Sequence, residues 1–320
     1  MKVIISGASG YIGTKFINFL KTKVDHISVI VRSQKSQNLV SKILEGQSSH
    51  VYRHDLTKEL DFDTTEKYDY FIHLAAANDV DSKSPEKALL STVLSTKNCL
   101  DFCKKNQIDK FIYLSTFQVI GSVEGELNES TVHPKNDYAI THKFSEDYIK
   151  MYQREHDISY LILRPTNIYG CPFNEKIERW SLVPNCFCKE AYEKQKITLR
   201  SSGKQSRDFL NLNDLPEILF ESISNFDKLR NRLINLSSGN NFTIFEIAKI
   251  VQKVYTEKYN AQCKLEILSE HPLKENEFKI DRTLVKSITY DFKPKESIEI
   301  EINQIFKLLE KQNYGPNTTI

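Results

Sequence analysis

The sequence predicts an α/β protein: a doubly wound parallel sheet with helices on both faces, followed by a smaller α/β C-terminal lobe. Three observations support this prediction. The chain of 320 residues opens on an apolar strand, residues 2–6, that runs into three spaced glycines. Short apolar runs then alternate with amphipathic stretches through the first half of the chain. After Arg164 and Pro165 the alternation ends and an irregular stretch follows.

The first strand leads into a glycine-rich turn formed by Gly7, Gly10 and Gly13, and the spacing predicts a helix from about Thr14. Glycine suits these positions because the turn needs unusual backbone angles and a pyrophosphate must approach bare backbone. The phosphates would then lie at the helix N-terminus. The pattern therefore predicts a dinucleotide site, with a plain glycine-rich turn as the alternative.

Hydrophobic periodicity predicts the later elements. Further strands are expected at residues 27–31, 51–54, 70–74, 111–115 and 160–163, and helices at 88–104, 139–155, 213–224 and 243–258. The stretch 298–309 fits a helical stripe, but its first residues also alternate as a strand would. We expect a dinucleotide-binding domain at 1–170, joined by 209–237, and a substrate lobe at 171–320.

Composition limits the partners that the protein can have. A net charge of +2 from 44 basic and 42 acidic residues gives no reason to expect a nucleic acid or membrane partner. Because the first strand begins at residue 2, we expect no signal peptide, and no apolar run approaches the roughly 20 residues that span a bilayer. We expect a cytoplasmic protein whose six cysteines are free and hold no metal.

Six separated motifs occur in a characteristic order. They are residues 54–56, 73–76, 115–121, Tyr138 within Tyr-x-x-x-His, 163–170 and 203–209. In these motifs the chain resembles the extended short-chain dehydrogenase/reductases, the NAD-dependent epimerase/dehydratase family that acts on nucleotide sugars. The resemblance covers nearly the whole chain and implies a Rossmann-type fold.

The resemblance implies two catalytic side chains, Thr116 and Tyr138, which would hydrogen-bond the sugar oxygen that is oxidised or reduced. A hydride that moves between nicotinamide and a sugar carbon must be matched by a proton on the attached oxygen, and a phenol can supply or accept it. The alternatives are a surface helix tyrosine and a strand-end threonine that bonds its own backbone.

The chain departs from the family at His142, where the family has a lysine. That lysine holds the nicotinamide ribose and lowers the tyrosine pKa, which requires about 3 units or roughly 4 kcal/mol. Histidine is largely neutral at pH 7, although it can still bond a ribose hydroxyl. The substitution suits a ketone reductase better than an enzyme that starts from an alcohol. Alternatively, Lys143 takes over the role, or the enzyme is impaired.

Cofactor choice depends on the end of the second strand, where Arg32 occupies the position of the acidic residue usual in NAD enzymes. An arginine would pair with a 2′-phosphate, so NADP(H) is favoured over NAD(H). The alternative is a solvent-exposed arginine. By resemblance, the remaining cofactor-binding residues are Tyr11, Ile12, Asp55, Leu56, Leu74, Ala75, Ala76, Tyr138 and His142.

Two residues match those that the family uses on nucleotide-sugar phosphates, Asn167 and Arg207. Arginine offers planar, permanently charged donors to phosphate. Otherwise Arg207 would pair with Asp208 or Asp214, and Asn167 would cap a turn. Sugar 4,6-dehydratases of the family place an acid pair directly after the catalytic threonine. Here those positions hold Phe117 and Gln118, so dehydration is not expected.

These residues together predict an NADPH-dependent reductase of a keto group on a nucleotide-activated sugar, most plausibly a 4-keto-6-deoxyhexose, in carbohydrate biosynthesis. One alternative is an NAD-dependent nucleotide-sugar epimerase. Another, supported by His142 alone, is a non-catalytic dinucleotide-binding sensor. The resemblance also implies a homodimer formed through the helices near 88–104 and 139–155.

Overall fold

The computed structural model describes residues 1–64, 66–121, 124–268, 277–288 and 297–313. The strands are β1 (Lys2–Ser6), β2 (His26–Val31), β3 (Ser49–Arg53), β4 (Tyr70–His73), β5 (Lys110–Leu114), β6 (Gly125–Leu127), β7 (Ser159–Pro165), β8 (Asn167–Tyr169), β9 (Lys196–Leu199), β10 (Ser206–Asn211), β11 (Arg232–Leu236), β12 (Asn241–Thr243), β13 (Lys264–Ile267) and β14 (Phe278–Ile280).

The helices alternate with the strands in the first half of the chain. They are α1 (Tyr11–Leu20), α2 (Gln34–Ile43), α3 (Pro85–Ala88), α4 (Ser95–Lys105), α5 (Asp137–His156), α6 (Val183–Lys194), α7 (Leu215–Ser224), α8 (Phe226–Leu229), α9 (Ile244–Tyr259), α10 (Thr283–Ile288) and α11 (Ile298–Asn313). Short 3₁₀ turns lie at Asp81–Lys83 and Phe117–Ile120, and a π-helical stretch at Leu89–Leu94 joins α3 to α4.

Within the described residues, seven parallel strands form the central sheet in the order β3-β2-β1-β4-β5-β7-β11. Successive residues of β1 face opposite sides of the sheet, as the strand period of two requires. Val3 and Ile5 join the core that includes α1 and α7, whereas Ile4 joins the core that includes α4 and α5. The predicted doubly wound α/β fold is confirmed.

The strand order reverses between β1 and β4, because β1 is followed in the chain by β2 on one side and later by β4 on the other. In doubly wound sheets this reversal opens a crevice at the carboxyl ends of the strands. The glycine turn after β1 and the end of β4 lie at this reversal. The fold therefore places the predicted dinucleotide site where such sheets bind ligands.

A third core lies among α6, α9 and α11. The ambiguous C-terminal stretch is a helix, since Ile302, Ile305 and Phe306 are buried at helical spacing while Ile300 is exposed. The first helix begins at Tyr11, three residues before the predicted start. The division into lobes at residue 171 stays a prediction, and β11 pairs with β7 in the central sheet. No helix in the described residues has both the length and the apolar character needed to cross a bilayer.

A buried ion pair joins three elements beneath the carboxyl edge of the sheet. Arg164 of β7 is 1% exposed and its guanidinium donates two hydrogen bonds to the carboxylate of Glu146 on α5, at 2.8 and 2.6 Å. The hydroxyl of Ser115, directly after β5, donates to the same carboxylate at 2.7 Å. Both charges are therefore paired and hydrogen-bonded, which is the condition for burying them at tolerable cost.

Glu146→Ala should destabilise the fold by about 3–5 kcal/mol, because it leaves the Arg164 guanidinium buried without a counter-charge. Urea denaturation measures the loss, and Glu155→Ala on the exposed face of the same helix serves as the control, with an expected change within about 0.5 kcal/mol. The double variant Glu146→Leu with Arg164→Met should lose less free energy of unfolding than Glu146→Ala alone, because it leaves no unpaired buried charge. Equal losses for Glu146→Ala and Glu155→Ala would contradict the inferred role.

A buried histidine lies at the end of β4. The Nδ1 atom of His73 is 2.5 Å from the Ser6 hydroxyl and its Nε2 atom is 3.0 Å from the Thr96 hydroxyl. Burial lowers the pKa of His73 to about 3. The ring is therefore neutral in the folded protein, whereas in the unfolded chain it titrates near 6.5.

Because the folded-state pKa lies below the unfolded value, the stability due to neutral His73 is present above about pH 6.5 and is lost as the pH falls toward 3. This histidine should contribute a slope of about 1.4 kcal/mol per pH unit in that window. For His73→Gln, denaturation at several pH values should show that the free energy of unfolding depends on pH less steeply, by about 1.4 kcal/mol per pH unit in this window. A slope for folded His73→Gln equal to that of the wild-type protein would count against the assignment.

Candidate active site

The glycine turn forms a tight cradle between β1 and α1. Gly7 has a φ of +77°, and a Cβ placed there would lie 2.6 Å from the backbone nitrogen of Ala75. A Cβ on Gly13 would lie 2.1 Å from the carbonyl oxygen of Gly7. Gly10 precedes the first residue of α1 and its N–H donates to the Gly7 carbonyl at 3.1 Å. The bare backbone at a helix N-terminus fits a dinucleotide pyrophosphate.

A cleft of about 850 Å³ extends from this cradle toward the C-terminal core. The predicted site residues that line it are Gly7, Gly10, Tyr11, Ile12, Gly13, Leu74, Ala76, Thr116, Tyr138, His142, Asn167 and Arg207. The remaining predicted residues, Arg32, Asp55, Leu56 and Ala75, are not part of this lining. The structure thus brings together the predicted catalytic, phosphate-binding and glycine positions, which are far apart in sequence.

Tyr11 joins the cradle to Gly170, the last residue of the predicted dinucleotide-binding domain before the predicted substrate lobe. Its side chain is 7% exposed and its hydroxyl donates to the Gly170 carbonyl at 2.7 Å. Burial raises the pKa of this phenol above its ordinary value. Tyr11 is therefore a neutral, fixed part of the cleft wall.

Arg32 and Asp55 lie near each other at the ends of β2 and β3. Asp55 accepts hydrogen bonds from the backbone N–H and the hydroxyl of Thr57, both at 3.0 Å. These bonds, together with the positive charge of Arg32, lower the pKa of Asp55. Arg32 is exposed, and the Asp55 carboxylate offsets part of its charge.

The proposed proton-transfer pair sits at the carboxyl edge of β5 and the start of α5. Thr116 is 6% exposed, and its hydroxyl accepts from the backbone N–H of Gln118 at 3.2 Å, so it begins the 3₁₀ turn. Asn136 caps α5 by accepting from the backbone N–H of Ala139 at 2.9 Å, which places Tyr138 in the first turn. Burial raises the pKa of Tyr138, whereas the Thr116 hydroxyl and the charge of Arg179 act to lower it.

His142 follows Tyr138 by one helical turn and its ring lies 4.5 Å from the phenol ring, centroid to centroid. Its Nδ1 atom is 2.7 Å from the backbone carbonyl oxygen of Tyr138. A carbonyl only accepts, so Nδ1 carries the hydrogen and Nε2 is the free acceptor of the neutral ring. Burial lowers the pKa of His142 to about 4. His142 can thus accept a hydrogen bond from a ribose hydroxyl but carries no charge at pH 7.

Lys143, the alternative for the role of the family lysine, lies outside the cleft lining. Its ammonium group forms an ion pair with Asp147 one turn along α5, at 2.5 Å. The rotation of about 100° per helical residue accounts for this placement.

Arg207 and Asn167 lie on the paired strands β10 and β8. Asp208 accepts from Thr166 and from Ser237 at 2.9 Å rather than pairing with its neighbour Arg207. Arg207 donates to the carbonyl of Ser206 at 2.8 Å and reaches the cleft. Asn167 donates to the Asp208 carbonyl at 2.9 Å. The guanidinium therefore keeps donors for an anionic ligand.

An ion pair across the cleft escaped sequence reasoning. Arg179 donates to Asp79 at 3.0 Å, and the Ser181 hydroxyl donates to the same carboxylate oxygen at 3.3 Å. The two charged residues are 100 positions apart in irregular segments, so no periodicity or motif relates them. Only the fold shows that they face one cleft.

Comparison with known proteins agrees with this geometry. The NAD dependent epimerase/dehydratase family matches residues 3–237. A Methanocaldococcus jannaschii protein provisionally named as a UDP-glucose 4-epimerase is 23% identical over 97% of this chain and 99% of its own length. The Bacillus cereus UDP-glucuronic acid 4-epimerase, solved with NAD, superposes with a TM-score of 0.80 at 20% identity, over 97% of both chains. The Thermotoga maritima UDP-glucose 4-epimerase, solved with UDP-glucose, has a TM-score of 0.80 at 19% identity, over 98% of this chain and 100% of its own.

These findings overturn one expectation. The preference for NADP(H), based on Arg32, is wrong: the matching family is NAD-dependent, and neighbouring structures contain NAD. The physical reason lies in the surroundings of Arg32: the side chain is exposed, and its charge is partly offset by the nearby Asp55 carboxylate. The glycine cradle, the carboxyl-edge cleft and the family match over most of the chain lead to one conclusion: the protein belongs to the NAD-dependent epimerase/dehydratase family.

Proposed function

We propose that this protein is an NAD-dependent 4-epimerase of nucleotide sugars. The observation that carries the proposal is the meeting of Thr116 and Tyr138 with the glycine cradle in one cleft. The residues directly after Thr116 are Phe117 and Gln118, which cannot act as the acid and base of a dehydration. The chemistry available is therefore reversible oxidation at one sugar carbon.

Epimerisation, the alternative in the sequence analysis, is better supported than the predicted reduction of a 4-keto-6-deoxyhexose. The relatives described above are named as 4-epimerases, and the matching family is NAD-dependent. An epimerase oxidises and then reduces the same carbon, so it needs no external supply of reducing cofactor. NAD that stays bound and is reduced and reoxidised within one turnover is therefore sufficient, and no NADPH is needed.

Residues of this chain would hold NAD along the cradle of Gly7, Gly10 and Gly13, with Asp55 and Leu56 on the adenosine side and His142 at the nicotinamide ribose. When bound, NAD would supply the reversible two-electron oxidation of the sugar carbon. The free Nε2 acceptor of His142 suits a ribose hydroxyl.

Tyr138 and Thr116 handle the proton. The ionised phenol accepts the proton of the sugar hydroxyl as the O–H bond breaks, and the same phenol returns it when the ketone is reduced. Thr116 orients the oxygen by hydrogen bonding. Inversion requires the keto sugar to present its other face, and a cleft of about 850 Å³ provides room for such a rotation.

Arg207 and Asn167 would bind the diphosphate of the nucleotide sugar. Arg207 is half-buried, so water screens its attraction to an anion in the cleft less than it would at the surface.

We further propose a homodimer through the helical face of α4, α5 and the preceding π-helical stretch. The residues Leu89, Leu90, Phe144 and Tyr148 are large and apolar yet between 37% and 46% exposed. Covering them with a second copy would remove an apolar patch from water.

Tyr138→Phe should lower kcat for interconversion of a UDP-hexose and its 4-epimer by about 10²–10⁴-fold, because the proton acceptor is lost. The conversion is followed by chromatography of the nucleotide sugars, with absorbance at 340 nm to detect any net reduction of NAD. NAD binding, measured by calorimetry, should be unchanged in the variant. Wild-type protein that binds NAD but converts no UDP-, GDP-, CDP- or dTDP-linked hexose would support the non-catalytic sensor instead.

Arg207→Gln should raise KM for the nucleotide sugar by about tenfold or more while changing kcat little, since a charged hydrogen bond to phosphate of roughly 1.5–3 kcal/mol is removed. The KM of Arg207→Lys should lie between those of the wild-type protein and Arg207→Gln, because lysine keeps the charge but not the bidentate geometry. A KM for Arg207→Gln within twofold of the wild-type value would rule out the phosphate contact.

A further inference from the structure

An enzyme that oxidises an alcohol needs the Tyr138 phenol to be ionised, so that it can accept the proton of the alcohol. The surroundings of this phenol disfavour its ionised form. Burial raises the pKa of Tyr138. His142, at the position of the family lysine, is neutral and donates to the Tyr138 carbonyl rather than acting as a cation. Lys143 is paired with Asp147 outside the cleft lining. The positive charge that favours a phenolate must come from elsewhere.

Arg179 lies in the segment between β8 and α6 and lines the same cleft as Tyr138. Its guanidinium is held at 3.0 Å by Asp79, and its central carbon lies 6.0 Å from the centre of the Tyr11 ring. The Arg179 side chain is 20% exposed. An ion pair and an aromatic face thus fix this cation within the cleft wall.

We propose that Arg179 is the positioning residue whose charge favours the ionised form of Tyr138, in place of the family lysine, while His142 keeps only the ribose contact. The proposal rests on the proposed function above. It divides between two residues the two tasks that one lysine performs in the family.

The charges near Tyr138 come from several elements. Arg179 lowers the pKa of the phenol and Asp79, after β4, raises it, while the Thr116 hydroxyl after β5 also lowers it. His142 on α5 is neutral. The other charged residues that line the cleft are Lys135, Glu178 and Arg207. Because Arg179 and Asp79 have opposite effects on the pKa of Tyr138, removing one charge should shift this pKa in the opposite direction from removing the other.

The experiment measures the titration of Tyr138 in two ways. One is the pH profile of kcat/KM for nucleotide-sugar epimerisation. The other is an ultraviolet difference titration of tyrosinate in the NAD complex, in which the Tyr138→Phe spectrum is subtracted to isolate the one phenol. The second needs no turnover. If wild-type protein converts no sugar, the proposed function fails while the ultraviolet titration still decides the role of Arg179.

Arg179→Gln should move the Tyr138 transition to higher pH by about one unit or more, as expected for loss of a nearby opposite charge. Arg179→Lys should restore most of the wild-type position. Asp79→Asn should move the transition to lower pH. Arg200→Gln removes an exposed arginine from the same part of the chain and is the matched control, with no expected shift.

A final variant combines Arg179→Gln with His142→Lys, which returns the cation to the family position. The transition should move back toward lower pH relative to Arg179→Gln alone. Opposite shifts for Arg179→Gln and Asp79→Asn, with this rescue, support the proposal. A transition that stays in place in folded Arg179→Gln, or that moves the same way in both single variants, overturns it, because a merely structural ion pair would produce that result.

Discussion

The geometry of the cleft depends on the buried contact of Arg164 and Ser115 with Glu146. Ser115 immediately precedes Thr116, and Glu146 follows His142 by one turn of α5. The carboxylate therefore fixes the carboxyl end of β5 against the helix that carries Tyr138 and against the end of β7. A charge pair of this kind stabilises little in itself, but its geometry tolerates few alternatives. It holds together side chains that the chain order separates.

The proposed proton transfer depends on which side chains lie next to Tyr138 on the same face of α5. Tyr138 and His142 follow each other at a spacing of one turn, so the residue at 142 always lies beside the phenol. The His142 ring donates a hydrogen bond to the Tyr138 backbone carbonyl and is too buried to take up a second proton and become a cation at neutral pH. For the proposed epimerisation, a cation that favours the phenolate would have to come from another element. Arg179 is the residue that we propose for this role, and the proposed ribose contact would be made by the neutral His142 ring.

The sequence was sufficient for features that depend on local pattern. The spacing of Gly7, Gly10 and Gly13, the strand runs and Tyr138 all correspond to structure that neighbours in sequence determine. The stretch from Ile298 was ambiguous because three residues cannot distinguish a period of two from one of 3.6, and burial of Ile302 and Phe306 decides it. Features that depend on distant partners could not be predicted: Asp55 beside Arg32, and Asp79 beside Arg179.

The two arginines show why a charge in a sequence does not define its role. The position of Arg32 in the sequence suggested a phosphate partner, but the side chain is exposed and its charge is partly offset by the Asp55 carboxylate at the edge of the sheet. Arg179 suggested nothing, yet it is fixed in the wall of the cleft, where its charge acts on Tyr138. A cation influences a titration strongly only where water is largely excluded. Because Arg179 belongs to the segment that also lines the cleft, the shape of the cleft and the charge at the phenol are set by the same residues.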